Sequence, residues 1–246
     1  MIDYQKTALF EDVAGLDGWF TRRSPGFNRE GTVPGLNCGL GATAPAEEVS
    51  RNRQTLFDRV KIDPESVASA GQVHGDHVEF VESGGFFPET DALVTTSRGV
   101  TLTIQVADCA AILLTDPEAE VIGAVHAGWR GSVNKIVTAS VNMLYRHGAK
   151  PERVLAAVCP CIGPARFEVG EEVARLFDEQ YVDRQPGRKP HVNLRAAIRE
   201  ELEENGIPSG QIEVDTGCTF TRRDLYYSWR RDREKAGRML AMIRME

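Results

Sequence analysis

Apolar positions recur along the chain with two periods, and the switches between them mark out the elements. EEVSRNRQTLFDRV, from residue 47, sets Val49, Leu56, Phe57 and Val60 near one face and predicts a helix. Extended segments then dominate: SVASAGQVHGDHVEFV (66–81), DALVTT (91–96), VTLTIQVADCAAILLTD (100–116) and EVIGAVHAG (120–128). A helix is expected in SVNKIVTASVNMLYRHG (132–148), with Ser132 as N-cap and Gly148 just past its end. Strand RVLAAVCPCI, helix VGEEVARLFDEQ, irregular YVDRQPGRKP, helix NLRAAIREELEENG and strand QIEVDTGCTF follow, and RMLAMIRM closes the chain after the polar stretch TRRDLYYSWRRDREKAG. Strands and helices mix without strict alternation, which predicts one α/β domain over residues 1–246, of the α+β type, with mixed β-sheets flanked by helices.

One early segment breaks the pattern. TRRSPGFNREGTVPGLNCGLGA, residues 21–42, is rich in Gly, Pro and Asn yet holds Phe27, Leu36 and Leu40, so it reads as a long ordered loop. Loops beyond about 12–15 residues without regular structure tend to carry function.

Charge and composition narrow the function classes. The 246 residues carry a formal charge of −7, and the positive residues are scattered, which argues against a nucleic-acid-binding face while allowing local pockets for small anions. No apolar run approaches the ~18 residues of a membrane span. The opening MIDYQKTALFEDVAG lacks a signal-peptide core, and the five cysteines are odd in number without framework spacing. A reduced, cytoplasmic protein whose cysteines are buried, reactive or metal-bound is expected, binding neither nucleic acid nor membrane.

Three side chains stand out by their surroundings. His74 closes the apolar approach ASAGQV, Cys109 sits in QVADCAAILL, and His126 ends IGAV. Each is either an ordinary core residue or a ligand on a core strand. Together they form a legitimate zinc set, whose open fourth position would mark a catalytic site. If GQVHGDHV is extended, His74 and His77 point to opposite faces, and His77 is expected in solvent. His147 and His191 read as structural. Asp108, beside Cys109, is a carboxylate in an apolar run and needs a partner: an arginine, a backbone turn or a metal-bound histidine.

GAVHAGWRG runs from strand to helix and exposes backbone N–H groups at a positive helix end, with Arg130 as a bidentate anion partner. Gly128 and Gly131 are expected to let the backbone turn sharply, and Trp129 either lines a pocket or plugs the core. Cys161, in CPCIGPARFEVG, precedes a helix, a position that lowers a thiol pKa, or else it is a small residue in a tight turn. YYSWRRDR sets aromatics against arginines and reads as a base-stacking, phosphate-binding segment or as a solvated charged one; Arg22 and Arg23 carry the same pair of readings.

Taken together, LNCGLG, SRNRQTL, GQVHG, DALVT, VADC, HAGWRG, PCIGPARFEVG, CTF and YSWRR resemble, in number and order and over nearly the whole chain, the YfiH-like or laccase-domain family, also called multicopper polyphenol oxidoreductases. The resemblance implies that His74, Cys109 and His126 form a metal site usually occupied by zinc. It implies substrate contacts at Arg23, Asn37, Gln72, Arg130, Cys161, Arg230 and Arg231, with Asp108 handling protons at the catalytic centre. It also implies purine nucleoside phosphorylase and adenosine deaminase activities, acting on adenosine, inosine and methylthioadenosine with phosphate as partner. An amidase that edits peptidoglycan precursors, using a metal-activated water or a Cys109–His126 pair, is the alternative enzyme, and a binding protein with a structural metal is the non-enzymatic one. Copper is the less favoured metal, and a multicopper polyphenol oxidase would need far more than the five histidines present. Two departures stand out: PGFN replaces the family's G-G-V-S after Arg23 and Ser24, and Cys159 adds a second thiol before Cys161.

Overall fold

The computed structural model describes residues 2–24, 26–27, 33–41 and 44–246, so parts of the expected 21–42 loop, including Pro25 and Asn28 of PGFN, lie outside the described residues. Strands β1 (Tyr4–Lys6) and β2 (Leu16–Thr21) precede helix α1 (Ala46–Val60). Seven strands follow: β3 (Val67–Gly71), β4 (Val78–Phe80), β5 (Gly85–Pro88), β6 (Ala92–Thr95), β7 (Thr101–Val106), β8 (Ala110–Asp116) and β9 (Val121–Ala127). Helices α2 (Trp129–Val133) and α3 (Ile136–Arg146) lead to β10 (Leu155–Val158), α4 (Glu171–Ala174), β11 (Val182–Asp183) and β12 (His191–Val192). The chain ends with α5 (Leu194–Glu204), β13 (Ile212–Val214), α6 (Trp229–Asp232) and β14 (Met239–Met245).

Among the described residues the strands form two six-stranded mixed sheets, ordered β1-β2-β14-β7-β3-β5 and β13-β10-β8-β9-β6-β4, and a small β11-β12 ladder. Side-chain alternation explains how they stack. In β8, Ala111 and Leu113 turn toward Leu102, Ile104 and Ile243 of the other sheet, while Ile112 and Leu114 turn outward onto Val137, Val141 and Leu144 of α3. On the far side, Leu56, Phe57 and Val60 of α1 cover Trp19, Leu240 and Met242. The result is four layers, helix on sheet on sheet on helix. Strands with both faces covered need continuous apolar runs, which is what β8 and β9 supply. No helix among the described residues is long and apolar enough to cross a membrane.

Several expected elements are shorter than their apolar patterns. The 66–81 segment breaks into β3 and β4 around residues 72–77, and the 100–116 segment breaks into β7 and β8 around 107–109. At each break a non-glycine residue takes a left-handed φ, His74 at 63° and Asp108 at 95°. The 132–148 helix is also divided: Ser132 lies within α2, and α3 starts after Lys135 at φ 65°. Its end is as expected, since Gly148 (φ 92°) donates to Tyr145 O and Ala149 to Leu144 O, closing a Schellman motif. The expected helix over 169–180 is reduced to the single turn α4.

Candidate functional site

β9 runs through the centre of its sheet and carries His126 on the same side as Ile122 and Ala124, buried at its C-terminal end. Cys109 sits on the neighbouring break between β7 and β8, and His74 on the loop that follows β3. Their ligand atoms lie within 4.8 Å of one another, and the two imidazole rings meet edge to face at 4.8 Å. Burial pushes the Cys109 thiol up, but His126 and then His74 outweigh it and bring it down to about 6. Burial pulls the other way on His126, yet the Cys109 sulfur and Asp91 raise it to about 9. A polarised thiol beside two imidazoles is a zinc-type donor set.

Asp91 completes the arrangement, a residue that sequence reasoning did not assign. Its Oδ1 lies 2.7 Å from His126 Nδ1. Burial raises this carboxyl, but the hydrogen bonds from His126 and the loop amides prevail and hold it below its usual range, so it is an acceptor and Nδ1 is the donor. Nε2 of His126 is thereby left for the cluster. A signal existed: Asp91 heads the apolar run DALVT, and the reasoning that singled out Asp108 applies to it equally.

The three residues form the floor of a cleft of about 550 Å³. Trp129, Phe167 and Trp229 line it together with Arg130, Arg230 and Arg238, of which Arg230 also donates Nη1 to Glu168 O at 2.6 Å and Arg238 donates Nη1 to the carbonyls of Ala236 (2.9 Å) and Gly237 (3.1 Å). Each arginine lies over one ring: Arg130 over Trp129 at 4.2 Å, Arg230 over Phe167 at 5.6 Å and Arg238 over Trp229 at 5.2 Å. Trp129 thus lines the cleft and packs against the core at once. Phe167, Trp229 and Arg238 were not singled out individually in the sequence, because they come from distant segments with no shared spacing.

Neither Gly128 nor Gly131 has a positive φ, so backbone conformation does not by itself require glycine at the turn from β9 into α2. What Gly128 provides is room: a Cβ there would lie 2.9 Å from Cys109 Sγ. His77 is exposed, with Nε2 2.9 Å from Glu79, and His147 stacks on Phe80 at 3.8 Å.

Asp108 borders the cleft, but its carboxylate is occupied. Thr219 Oγ1 donates to Oδ1 at 2.6 Å, and Ser228 Oγ and the Arg230 amide donate to Oδ2 at 2.9 and 2.6 Å. The group therefore fastens the YYSWRR segment over the site, a geometry of positioning rather than proton transfer. Gln72 also borders the cleft with its amide spent, donating to Gln105 O and accepting from Gln105 N, both at 2.9 Å.

Four residues expected to contact substrate lie outside the cleft lining among the described residues. Arg23 donates to the carbonyls of Pro34, at 2.8 Å, and Arg223. Asn37 is buried and accepts from the amides of Gly39 (3.0 Å) and Arg238 (2.9 Å). Arg231 spends its guanidinium on the carbonyls of Thr219, Phe220 and Tyr226 and on Asp232. Cys161 is wholly buried, and burial pushes its thiol up to about 12, the opposite of the lowered value its place before a helix predicts. In each case a polar side chain is satisfied by neighbouring backbone or enclosed by the core, which spacing alone does not reveal.

Known proteins share this architecture. Residues 17–246 match the family profile described as multi-copper polyphenol oxidoreductase laccase. A purine nucleoside phosphorylase of Deinococcus radiodurans is 41% identical over 228 residues, covering 91% of this chain and 87% of that protein. Adenosine deaminase RL5, from an unknown prokaryotic organism, is 31% identical over 266 residues, 99% of each chain. The crystal structure of the hypothetical protein YfiH from Bacillus licheniformis superposes with a TM-score of 0.88 at 28% identity, covering 96% of this chain and 95% of that one.

Proposed function

The chain belongs to the multi-copper polyphenol oxidoreductase laccase family, and on that premise we propose that it is a zinc-dependent purine nucleoside phosphorylase acting on adenosine, inosine and methylthioadenosine. The whole chain, residues 1–246, acts as one unit in this reading. The observation that carries it is the juxtaposition, in one cleft, of a His–Cys–His donor set, three arginines and three aromatic faces. The name of the Deinococcus relative supports the reaction type.

His74, Cys109 and His126 would hold the metal, and zinc is preferred to copper for a three-ligand site with an open position. When bound, zinc supplies Lewis acidity and lowers the pKa of water at that position. The chain's own groups divide the remaining work. Asp91 keeps the proton on His126 Nδ1. Trp129, Phe167 and Trp229 offer flat apolar surface for a purine and shield it from water. Arg130 supplies a fork for phosphate, Arg230 adds the donors not engaged by the Glu168 carbonyl, and Arg238 adds charge beside Cys109 and Asp108. Asp108 holds the main chain of Arg230 in register with the floor.

Adenosine deamination at the same site is the second reading, favoured by the likeness to adenosine deaminase RL5. The copper oxidase suggested by the family's description is disfavoured, since the described residues hold one three-donor cluster and the chain has five histidines.

The test is to incubate zinc-loaded protein with adenosine, with and without phosphate. Adenine and ribose 1-phosphate, formed only with phosphate, are expected. Inosine and ammonia formed without phosphate mark deamination, and turnover releasing no free base sinks the phosphorylase reading. His74→Ala is expected to weaken zinc binding sharply and to abolish activity with it.

A further inference from the structure

Asp91 lies between β5 and β6 and is wholly buried. Burying a carboxylate is strongly disfavoured unless its oxygens are met, so its partners identify what it holds in place. Both oxygens are committed to the two histidines or their immediate neighbours. Oδ1 accepts from His126 Nδ1 at 2.7 Å and from the His74 amide at 3.0 Å. Oδ2 accepts from the amides of Val73 at 3.1 Å and Gly75 at 2.8 Å. Three consecutive amides, centred on one ligand, thus close on the carboxylate that also holds the ring of another. The main chain repeats the linkage: Asp91 O accepts from the His126 amide at 2.7 Å, and Asp91 N donates to His77 O at 3.1 Å.

The His74 arm matters because His74 is exposed and its backbone sits at φ 63°, a conformation that persists only where the surroundings over-determine it. Nothing in its own loop is regular structure. The His126 arm matters because the ring offers Nε2 to the cluster only while Nδ1 keeps its proton.

We infer that Asp91 is the positioning residue of the metal centre, one carboxylate that fixes the ring of His126 and the backbone of His74 together. The inference rests on the metal reading of the cluster and is independent of which substrate the cleft takes. Asp91→Asn keeps the volume but turns one acceptor into a donor, which then faces either the Val73 and Gly75 amides or His126 Nδ1 and the His74 amide.

The experiment measures the zinc affinity of the metal-stripped full chain by competition with a chromophoric chelator. It compares the wild type with Asp91→Asn, Asp91→Glu, His74→Ala and the Asp91→Asn/His74→Ala double variant. Asp91→Asn is expected to weaken zinc binding about 10–100-fold, the usual effect of losing an outer-shell partner. In the His74→Ala background the same change should cost less, because the amides of that loop then position no ligand ring and only the His126 arm still acts on the metal. Asp91→Glu, which keeps the charge one methylene further out, should fall between wild type and Asp91→Asn, and it carries the test if Asp91→Asn does not fold. Melting of each metal-stripped variant separates a purely structural role, which would lower stability while leaving the affinity of the folded protein at the wild-type value. Wild-type affinity in the aspartate variants overturns the inference, and equal penalties in both backgrounds overturn its two-armed form. A wild type that binds no zinc overturns it together with the metal reading. A wild type that binds zinc yet leaves nucleosides untouched overturns the phosphorylase reading alone.

Discussion

Gly128 offers a clean separation between folding and metal binding. Its backbone, at φ −77° and ψ 174°, is a conformation that alanine adopts without strain. An added Cβ would lie 2.9 Å from Cys109 Sγ and 3.4 Å from His74 Cδ2, whereas ordinary contact begins near 3.4 Å. In Gly128→Ala the sulfur or the start of α2 must therefore give way by about 0.5 Å, the tolerance within which a ligand constellation has to be held. Replacing glycine at a compatible φ and ψ stabilises a fold by about 0.4–1 kcal/mol through the unfolded chain, which offsets part of the local strain. Gly128→Ala is expected to melt within a few degrees of wild type when stripped of metal, yet to bind zinc ~10–100-fold more weakly, a loss of about 1.4–2.7 kcal/mol. Chelator competition reads the affinity, and thermal unfolding in excess EDTA reads the fold. Gly99→Ala is the matched control: nothing lies within 4 Å of its Cβ, but its φ of +80° strains any side chain, so it should lose about 1 kcal/mol of stability and no zinc affinity. If Gly128→Ala binds zinc as tightly as wild type, the glycine is not there to make room for the sulfur.

Other parts of the molecule give expectations of different kinds. Asp116 is wholly buried and accepts from the Lys150 amide at 2.9 Å and from Arg153 at 2.8 and 2.9 Å. Burial raises its carboxyl, but these donors prevail and lower it below its ordinary 3.8. A depressed carboxylate contributes stability that is present above that ordinary value and lost as pH falls through the lower folded one. Asp116→Asn should thus cost about 2–3 kcal/mol in urea melts at pH 7, with the gap to wild type closing below about pH 4; a gap constant with pH would refute the assignment. The Tyr227 hydroxyl is buried without a hydrogen-bond partner among the described residues. Tyr227→Phe is accordingly expected to be neutral or to stabilise by up to about 1 kcal/mol, and a loss beyond 1 kcal/mol on thermal melting would reveal a partner. Arg130 is exposed on α2, with its guanidinium over Trp129, so Arg130→Ala should raise the KM for phosphate about tenfold or more with little change in stability. Arg231→Ala should do the reverse, lowering Tm and leaving that KM alone, because its donors are spent within the fold; initial rates against phosphate concentration decide both.

How far the site was legible depends on what each residue does. His74, Cys109 and His126 stood out because a ligand atom at the end of an apolar run, or within one, is visible in one dimension. Asp91 carries the same signature at the head of DALVT, and only its contacts with His126 and the His74 loop separate it from a turn-capping aspartate. Asp108 was recognised as a carboxylate needing partners, but those partners, Thr219, Ser228 and Arg230, lie more than a hundred residues away along the chain. Arg23, Asn37 and Arg231 bind backbone carbonyls and amides, which any residue can supply, so no motif marks them as structural.

Period and composition by themselves determined the body of the fold. β8 and β9 are apolar on both sides, α1 has one apolar face, and Gly148 stops α3, because burial and backbone conformation act residue by residue. Tertiary structure alone decided where those runs break. Left-handed backbone at His74 and Asp108 is stabilised by hydrogen bonds to remote partners rather than by local propensity, and the same breaks bring the three ligands together. The cleft exists only once α2, the 162–167 turn, α6 and Arg238, just before β14, converge on that floor, a matter of packing between segments that share no sequence period.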